Sequence, residues 1–284
     1  MAQVPEGVDP DQLTVVARRV LLDGLIALRP HLDALTVVGA QAVYLRTPDA
    51  ALRNSPFTAD GDLSIDPARL EDQPHLDTSL REAGFRLKQD SQPGLWERQE
   101  TVGDRIVPVE LDLLVPKQLS PQNGSRSAKV PPHGKMSARW IEGLEVAAVD
   151  RSPLSVGSLD PADHRSIMVN VAGPTALLVA KAFKITDRLS QAEKRPDRLT
   201  DKDAGDVVRI MMTASARQVS DTFAELCKDP RVGDVATDGL ERLRRLFGGR
   251  ATPGVDMAVK AHAGSLEEDR VRALAPAFIK RLPE

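Results

Sequence analysis

Cysteine and aromatic residues are scarce in this sequence, and long hydrophobic runs are missing. The single cysteine, Cys227, excludes a disulfide within the chain and a zinc site built from cysteine thiolates. Only 3% of the residues are aromatic, so aliphatic side chains must fill most of a core that 41% hydrophobic residues suffice to build. No segment approaches the roughly 18 consecutive apolar residues of a membrane helix, and the first residues lack the basic-then-apolar pattern of a secretory signal. We therefore expect a soluble, cytoplasmic protein without a membrane partner.

A large excess of either charge is also lacking. The formal net charge is -3 although 28% of the residues are charged, which argues against nucleic-acid binding over the whole surface. A local basic segment occupies residues 117–138 and continues into Arg139. It is either a solvated linker or a contact for an anionic substrate such as RNA. The histidines are His31, His75, His133, His164 and His262. No two of them have the spacing of metal ligands, so we predict no histidine-based site.

The pattern of apolar residues divides the chain into two parts. Residues 1–170 alternate between helical and strand patterns, whereas residues 171–284 have helical patterns only. The predicted helices cover residues 11–29, 39–45, 66–84, 173–189, 202–214, 217–227, 236–247 and 268–281. The predicted strands lie at 35–38 and 57–66 and within 85–116, 143–161 and 165–173. We therefore predict an α/β fold of the α+β type, in which a mixed β-sheet flanked by helices is followed by a helical C-terminal domain.

Acidic residues alternate with apolar ones in two of the predicted strands. Asp60 and Asp62 lie in the segment "FTADGDLSID", and Glu110 and Asp112 lie in "VELDLL". Because strand side chains alternate between the two faces of a sheet, each pair projects from one face of its strand. If the two strands are neighbours, three or four carboxylates converge. Asp66, which precedes a proline, is instead predicted to cap the following helix.

Converging carboxylates repel one another unless a cation neutralises them. Hard oxygen ligands of this kind suit Mg²⁺, which prefers a few carboxylates together with phosphate oxygens of a substrate. Gly39 and Ala40 join a predicted strand to a predicted helix, where backbone N–H groups can meet a phosphate. A solvated strand edge and a calcium loop are the other two interpretations of the acidic segment. Leu63 and Ile65 argue against the calcium loop, because they occupy positions that should belong to the loop.

The order of these motifs resembles the nucleotidyltransferase superfamily. Its pattern is a Gly-Gly or Gly-Ser pair at a helix entry, then Asp-x-Asp, then a third acid on a later strand. Here the pattern corresponds to Gly39-Ala40, Asp60-x-Asp62 and Asp112, with Glu110 as the other candidate for the third acid. The resemblance implies Mg²⁺ or Mn²⁺ held by Asp60, Asp62 and Asp112, and an NTP whose phosphates meet Gly39-Ala40. Ala40 departs from the pattern and leaves less room for the triphosphate at the backbone.

Two later segments, "ALLVAKAFKITDRL" and "RLTDKDAGDVVRI", resemble the C-terminal helices of the AbiEii-type nucleotidyltransferases. These proteins are the toxins of abortive-infection toxin–antitoxin pairs. The resemblance assigns nucleotide binding to Lys181, Lys184 and Arg188, a catalytic role to Lys181 and Asp203, and a hydroxyl position near the nucleotide to Thr58. Asp206, in the same Lys-Asp-x-x-Asp motif, is predicted to be structural.

The family resemblance implies transfer of a nucleoside monophosphate from an NTP to an acceptor hydroxyl, with RNA or tRNA as the acceptor. It also implies a cognate antitoxin as a partner. Two other functions share the same motifs. One is a small-molecule nucleotidyltransferase that modifies an antibiotic. The other is a degenerate domain that binds a nucleotide or a partner protein without turnover.

Overall fold

The computed structural model describes residues 6–48, 58–120 and 126–284. The first residue of the strand predicted over 57–66 and residues 121–125 of the basic segment lie outside these ranges. The described residues form an α+β fold with a mixed sheet and flanking helices, as predicted. None of the helices in these ranges combines the length and the apolar character that crossing a membrane requires.

Eight strands of the described residues form one sheet. They are β1 (Leu35–Val38), β2 (Asp60–Ile65), β3 (Arg86–Leu87), β4 (Leu95–Val102), β5 (Arg105–Pro116), β6 (Arg139–Ile141), β7 (Arg151–Gly157) and β8 (Ser166–Ala172). Their order is β3-β4-β5-β2-β1-β8-β7, with β6 paired to β5 beyond the end of β4. The pairs β1–β8, β2–β5 and β5–β6 are parallel, and the other pairs are antiparallel. The long strand β5 therefore brings β2, β4 and β6 together.

The α-helices in the described ranges are α1 (Pro10–Ala27), α2 (Gly39–Arg46), α3 (Leu76–Glu82), α4 (Pro174–Ser190), α5 (Lys202–Thr213), α6 (Ala216–Leu226), α7 (Gly233–Phe247), α8 (Pro253–Ala261) and α9 (Glu268–Ile279). The single helix predicted over 66–84 was wrong. A short 3-10 turn occupies Pro67–Arg69, and the α-helix begins only after Pro74, since a proline is poorly tolerated in a helix interior. Helix α8 was not predicted.

Helix α1 covers one face of the sheet. Its Gly24 approaches β5 so closely that an added Cβ would lie 2.5 Å from a methyl carbon of Leu111, and Gly61 of β2 lies against Leu21 and Leu111. Leu21 and Leu111 are fully buried at this contact. Because side chains alternate along a strand, the neighbours of Gly61 and Leu111 project from the opposite face. That face carries the acidic residues.

Two compact units divide the chain. The first consists of Met1–Ala42, Phe57–Glu142 and Arg151–Ala172, and the second of Val43–Pro56, Gly143–Asp150 and Gly173–Glu284. The first unit contains the sheet and α1. In the second unit α4 packs against α5 and α7, and α5 packs against α8 and α9. The predicted division at residue 170 lies near the start of the longest segment of the second unit, and the two shorter segments give no signal in the sequence pattern.

Candidate active site on the sheet

Four carboxylates of β2 and β5 lie on the sheet face opposite α1. Strands β2 and β5 are parallel neighbours, and their register pairs Asp60 with Glu110 and Asp62 with Asp112. Since the members of each pair lie two residues apart on their own strand, all four side chains project from the same face. The convergence predicted from alternation alone is thus present in the register of the sheet.

The turn from β1 into α2 lies directly beside Asp62. Gly39 begins α2 with φ at +67°, a conformation that residues with a Cβ rarely adopt. A Cβ at this position would also overlap Oδ2 of Asp62. The next residue, Ala40, is buried at 7% exposure. Gly39 therefore allows the start of a helix to approach the acidic face of the sheet.

Each of three acids on this face accepts a hydrogen bond from a different donor. The hydroxyl of Thr58 donates to Asp60 Oδ1 at 2.6 Å, and Nζ of Lys88 donates to Glu110 Oε1 at 2.6 Å. The guanidinium of Arg139 donates through Nη2 to Asp112 Oδ2 at 2.7 Å. Protein cations thus partly balance the negative charge of the face.

The environment of Asp112 strongly perturbs its pKa. Burial raises its pKa well above that of an ordinary aspartate, the negative charges of Asp62, Asp60 and Glu110 raise it further, and Arg139 opposes these effects. Asp112 is 8% exposed, and its Oδ1 is buried without a hydrogen-bond partner. Buried carboxylate oxygens are normally paired, so Oδ1 is an acceptor suited to a cation or a donor from outside the chain.

The donor set fits a hard divalent cation. Asp60, Asp62 and Asp112 supply carboxylate oxygens on adjacent strands, and Asp112 Oδ1 is buried and unpaired. Over the described ranges, no three His, Cys, Asp or Glu side chains are already gathered as a metal site. In the present arrangement Thr58 and Arg139 engage Asp60 and Asp112.

No family model and no curated protein matches this chain. The assignment of these residues therefore depends on their geometry and on the resemblance of the motifs. Lys88 and Arg139 were not predicted as partners of the acids. Lys88 directly follows the two-residue β3, and Arg139 lies in the three-residue β6; both strands are too short for a recognisable periodicity. A basic residue followed by an apolar pair, as in Arg139-Trp140-Ile141, is the only signal that the sequence offers for β6.

The second unit brings together four of the residues that the family resemblance singled out. Nζ of Lys181 donates to Asp203 Oδ1 at 2.7 Å and to Asp206 Oδ2 at 2.6 Å, and Nζ of Lys184 lies 3.1 Å from Asp203 Oδ2. Lys181, Asp203 and Asp206 are buried, whereas the Lys184 side chain is 42% exposed. Arg188, on the same helix, forms no ion pair with any described residue. The ammonium group of Lys181 is thus engaged by two carboxylates of its own unit.

The pKa values of this cluster are those of a buried ion pair. Burial alone would lower the pKa of Lys181, but the charges of Asp203 and Asp206 raise it above that of an ordinary lysine. Burial alone would raise the pKa of Asp203, but Lys181 and Lys184 hold it below its usual range. Lys181 and Asp203 are therefore both charged at neutral pH, and each stabilises the charge of the other.

Three of the histidines meet in the first unit, which their scattered positions in the sequence did not predict. The ring of His133 lies 5.5 Å from that of His31 and 5.8 Å from that of His75. Nδ1 of His133 accepts from the backbone N–H of Leu76, and its Nε2 bonds the carbonyl of Glu71. These contacts hold the part of the basic segment around His133 against the rest of the first unit.

Replacing Gly39 with alanine should destabilise the protein by about 2 kcal/mol or more, because the left-handed backbone and the overlap with Asp62 both oppose a Cβ. Gly84 is a matched control. It also has a positive φ, but a Cβ there would lie 3.6 Å from the nearest heavy atom, so its replacement should cost only about 1 kcal/mol. Urea unfolding gives the free energy of unfolding of the two variants and of Gly39→Ala combined with Asp62→Ala. The stability that Asp62→Ala restores to Gly39→Ala measures the overlap. Equal losses at both glycines with no rescue by Asp62→Ala would contradict the close contact.

Proposed function

We propose that this chain is a Mg²⁺-dependent nucleotidyltransferase with the nucleotidyltransferase fold. The observation that carries the proposal is the register of β2 and β5, which aligns Asp60 with Glu110 and Asp62 with Asp112 on one face. The unpaired, buried Oδ1 of Asp112 and the helix start at Gly39 beside Asp62 support it. Acids, an orphaned acceptor and backbone N–H groups at a helix start are the parts that binding of a metal-bound triphosphate requires.

The reaction is the transfer of a nucleoside monophosphate from an NTP to a hydroxyl. The hydroxyl oxygen forms a bond to the α-phosphorus, the bond from that phosphorus to the bridging oxygen breaks, and pyrophosphate leaves. When bound, Mg²⁺ would neutralise charge on the phosphate oxygens. Asp60, Asp62 and Asp112 would hold the metal ion, and a carboxylate of this face, Asp112 in our assignment, would take the proton of the hydroxyl. Gly39 and Ala40 would present backbone N–H groups to the phosphates.

We further propose RNA, with tRNA as the first candidate, as the acceptor, and a toxin role controlled by a cognate antitoxin. The resemblance to the AbiEii-type proteins is the main support. A second support is the exposed side chains of Arg126, Lys129 and Lys135, which form no ion pair with any described residue and belong to the same unit as the acids. Exposed cations of this kind attract the phosphates of a nucleic acid.

Incubation with each α-³²P-labelled NTP, Mg²⁺ and total tRNA tests the proposal. We expect one NTP to label tRNA, and we expect Asp60→Ala and Asp62→Ala to abolish the labelling. Label transfer that survives both substitutions would overturn the site assignment. Labelling of an aminoglycoside or lincosamide instead of RNA, or binding of Mg·NTP with no turnover, would replace the RNA proposal with one of the two other functions. Growth arrest on expression separates a toxin from an enzyme that confers antibiotic resistance.

A further inference from the structure

Arg139 stands out among the cations on the acidic face. It lies in β6, which pairs in parallel with the end of β5, and its register partner is Leu114, two residues after Asp112. Its side chain therefore projects from the same face as Asp112. Nη2 of Arg139 donates to Asp112 Oδ2 at 2.7 Å, and the side chain is 22% exposed.

Both members of this ion pair retain an unpaired atom. Oδ1 of Asp112 and Nε of Arg139 are buried and have no hydrogen-bond partner. The two atoms have opposite requirements, since Oδ1 needs a cation or a donor and Nε needs an acceptor. A metal-bound phosphate offers both in one ligand: the metal ion is a cation for Oδ1, and the phosphate oxygens are acceptors for Nε. A water molecule would also satisfy both atoms. The binding experiments below distinguish a phosphate ligand from water.

The other two cation–acid pairs on the face differ. Arg86 donates to Glu97 Oε1 from both Nε and Nη2, at 3.1 and 2.9 Å, and its side chain is 62% exposed. Lys88 is 36% exposed in its pair with Glu110. Neither pair includes a buried, unpaired side-chain atom among the described residues. Of the three cation–acid pairs described on this face, only Arg139–Asp112 combines burial with unmet hydrogen-bonding capacity.

We propose that Arg139 has two successive partners: it is the counter-ion of Asp112 before nucleotide binding, and it becomes a ligand of the triphosphate when Asp112 turns to the metal. The proposal rests on the proposed function and assigns a phosphate-binding residue to that site. In the first state, Arg139 neutralises a buried carboxylate that repels its neighbours. In the second, its guanidinium donates to phosphate oxygens, for which its planar fork of donors is suited.

Arg139→Gln should have opposite effects on two binding reactions. Mn²⁺ alone, followed by electron paramagnetic resonance, should bind about fivefold or more tightly, because a cation that competes for Asp112 is removed. Mg²⁺·tripolyphosphate, followed by calorimetry, should bind about tenfold or more weakly, because a charge-assisted hydrogen bond is lost. Tripolyphosphate isolates the phosphate contact from the unknown base preference. Arg139→Lys, which retains the charge without the fork, should fall between the wild type and Arg139→Gln in both measurements.

Arg86→Gln is the matched control, and both affinities should remain within twofold of the wild type, roughly the error of such measurements. Asp112→Asn should weaken Mn²⁺ binding, which places the ion on this face. If Arg139→Gln lowers the melting temperature but changes neither affinity, Arg139 is only a structural partner and the proposal is overturned. If the wild type binds neither Mn²⁺ nor Mg²⁺·tripolyphosphate, the proposed function itself fails.

Discussion

Replacing Asp62 with asparagine should lower the rate of nucleotide transfer by about 10²–10³-fold or more, the typical effect of removing one electrostatic contact to a transition state. Asp62 lies beside Asp112 in the register of β2 and β5 and against the helix start at Gly39. Its charge also raises the pKa of Asp112, which shows that the two carboxylates repel each other. The substitution should therefore leave the protein as stable as the wild type or slightly more stable. Single-turnover transfer and urea unfolding measure the two effects.

Asp66 provides a control from the same segment. Its side chain accepts from the backbone N–H of Ala68 at 3.2 Å and caps the 3-10 turn Pro67–Arg69, in keeping with the capping role predicted for it. Asp66→Asn keeps a capping side chain, whereas Asp66→Ala should cost about 1 kcal/mol of stability and leave transfer unchanged. Asp62→Asn with full transfer activity, or Asp66→Ala with none, would show that the roles of Asp62 in the site and of Asp66 in the cap have been assigned wrongly.

The parts of the site that the sequence predicted are those encoded locally. Alternation of acids with Leu63 and Ile65 specifies a strand with both aspartates on one face, and a glycine after a short apolar run specifies the turn into a helix. The same local logic assigned Asp66 to a cap. The carboxylates were predicted to converge only if β2 and β5 are neighbours. The two strands do pair, and their register aligns Asp62 with Asp112.

The cationic partners of the acids could not be predicted, because they come from distant and irregular parts of the chain. Arg139 lies 27 residues after Asp112, in a three-residue strand that follows the basic segment. From the sequence, Arg139 was assigned to that segment. In the structure it belongs to β6, which is part of the sheet. The helix predicted over 66–84 failed for a related reason. Its apolar spacing suited a helix, but Pro74 confines the α-helix to Leu76–Glu82.

In the second unit, four residues singled out by the resemblance lie in contact with one another, and the resemblance did not predict these contacts. Lys181 was predicted to contact phosphates, and that remains a prediction. Its ammonium group is hydrogen-bonded to Asp203 and Asp206, and Lys181 and Asp203 are only 5% exposed. A helix-period pattern places Lys181 on a buried face, yet it cannot show that two carboxylates from α5 meet it there. A structural role and a catalytic role for Lys181 thus require separate tests.

Replacing Lys181 with methionine should destabilise the protein by about 3–5 kcal/mol at pH 7, because it leaves two buried carboxylates without their main counter-ion. Lys184→Met, one turn further along α4, is the matched control and should cost less than about 1 kcal/mol, since that side chain is 42% exposed and solvent screens its charge. Urea unfolding of both variants measures the difference. A Lys181→Met protein as stable as the wild type would show that the buried ion cluster contributes nothing to the fold.

The pH dependence of that loss identifies its cause. In the wild type the pKa of Asp203 is lowered and that of Lys181 is raised, so the ion pair contributes its full stability between about pH 4 and pH 10, the ordinary pKa values of the two groups. Without Lys181 the orphaned carboxylates bind protons at higher pH, and the deficit of Lys181→Met should shrink as the pH falls from 7 to 5. Adding Asp203→Asn and Asp206→Asn removes the buried charges and should recover most of the stability.

Transfer assays on this triple variant then separate the structural role of Lys181 from a catalytic one. Activity near that of the wild type would exclude Lys181 from catalysis, whereas a stable but inactive protein would support the role that the family resemblance assigns to this cluster.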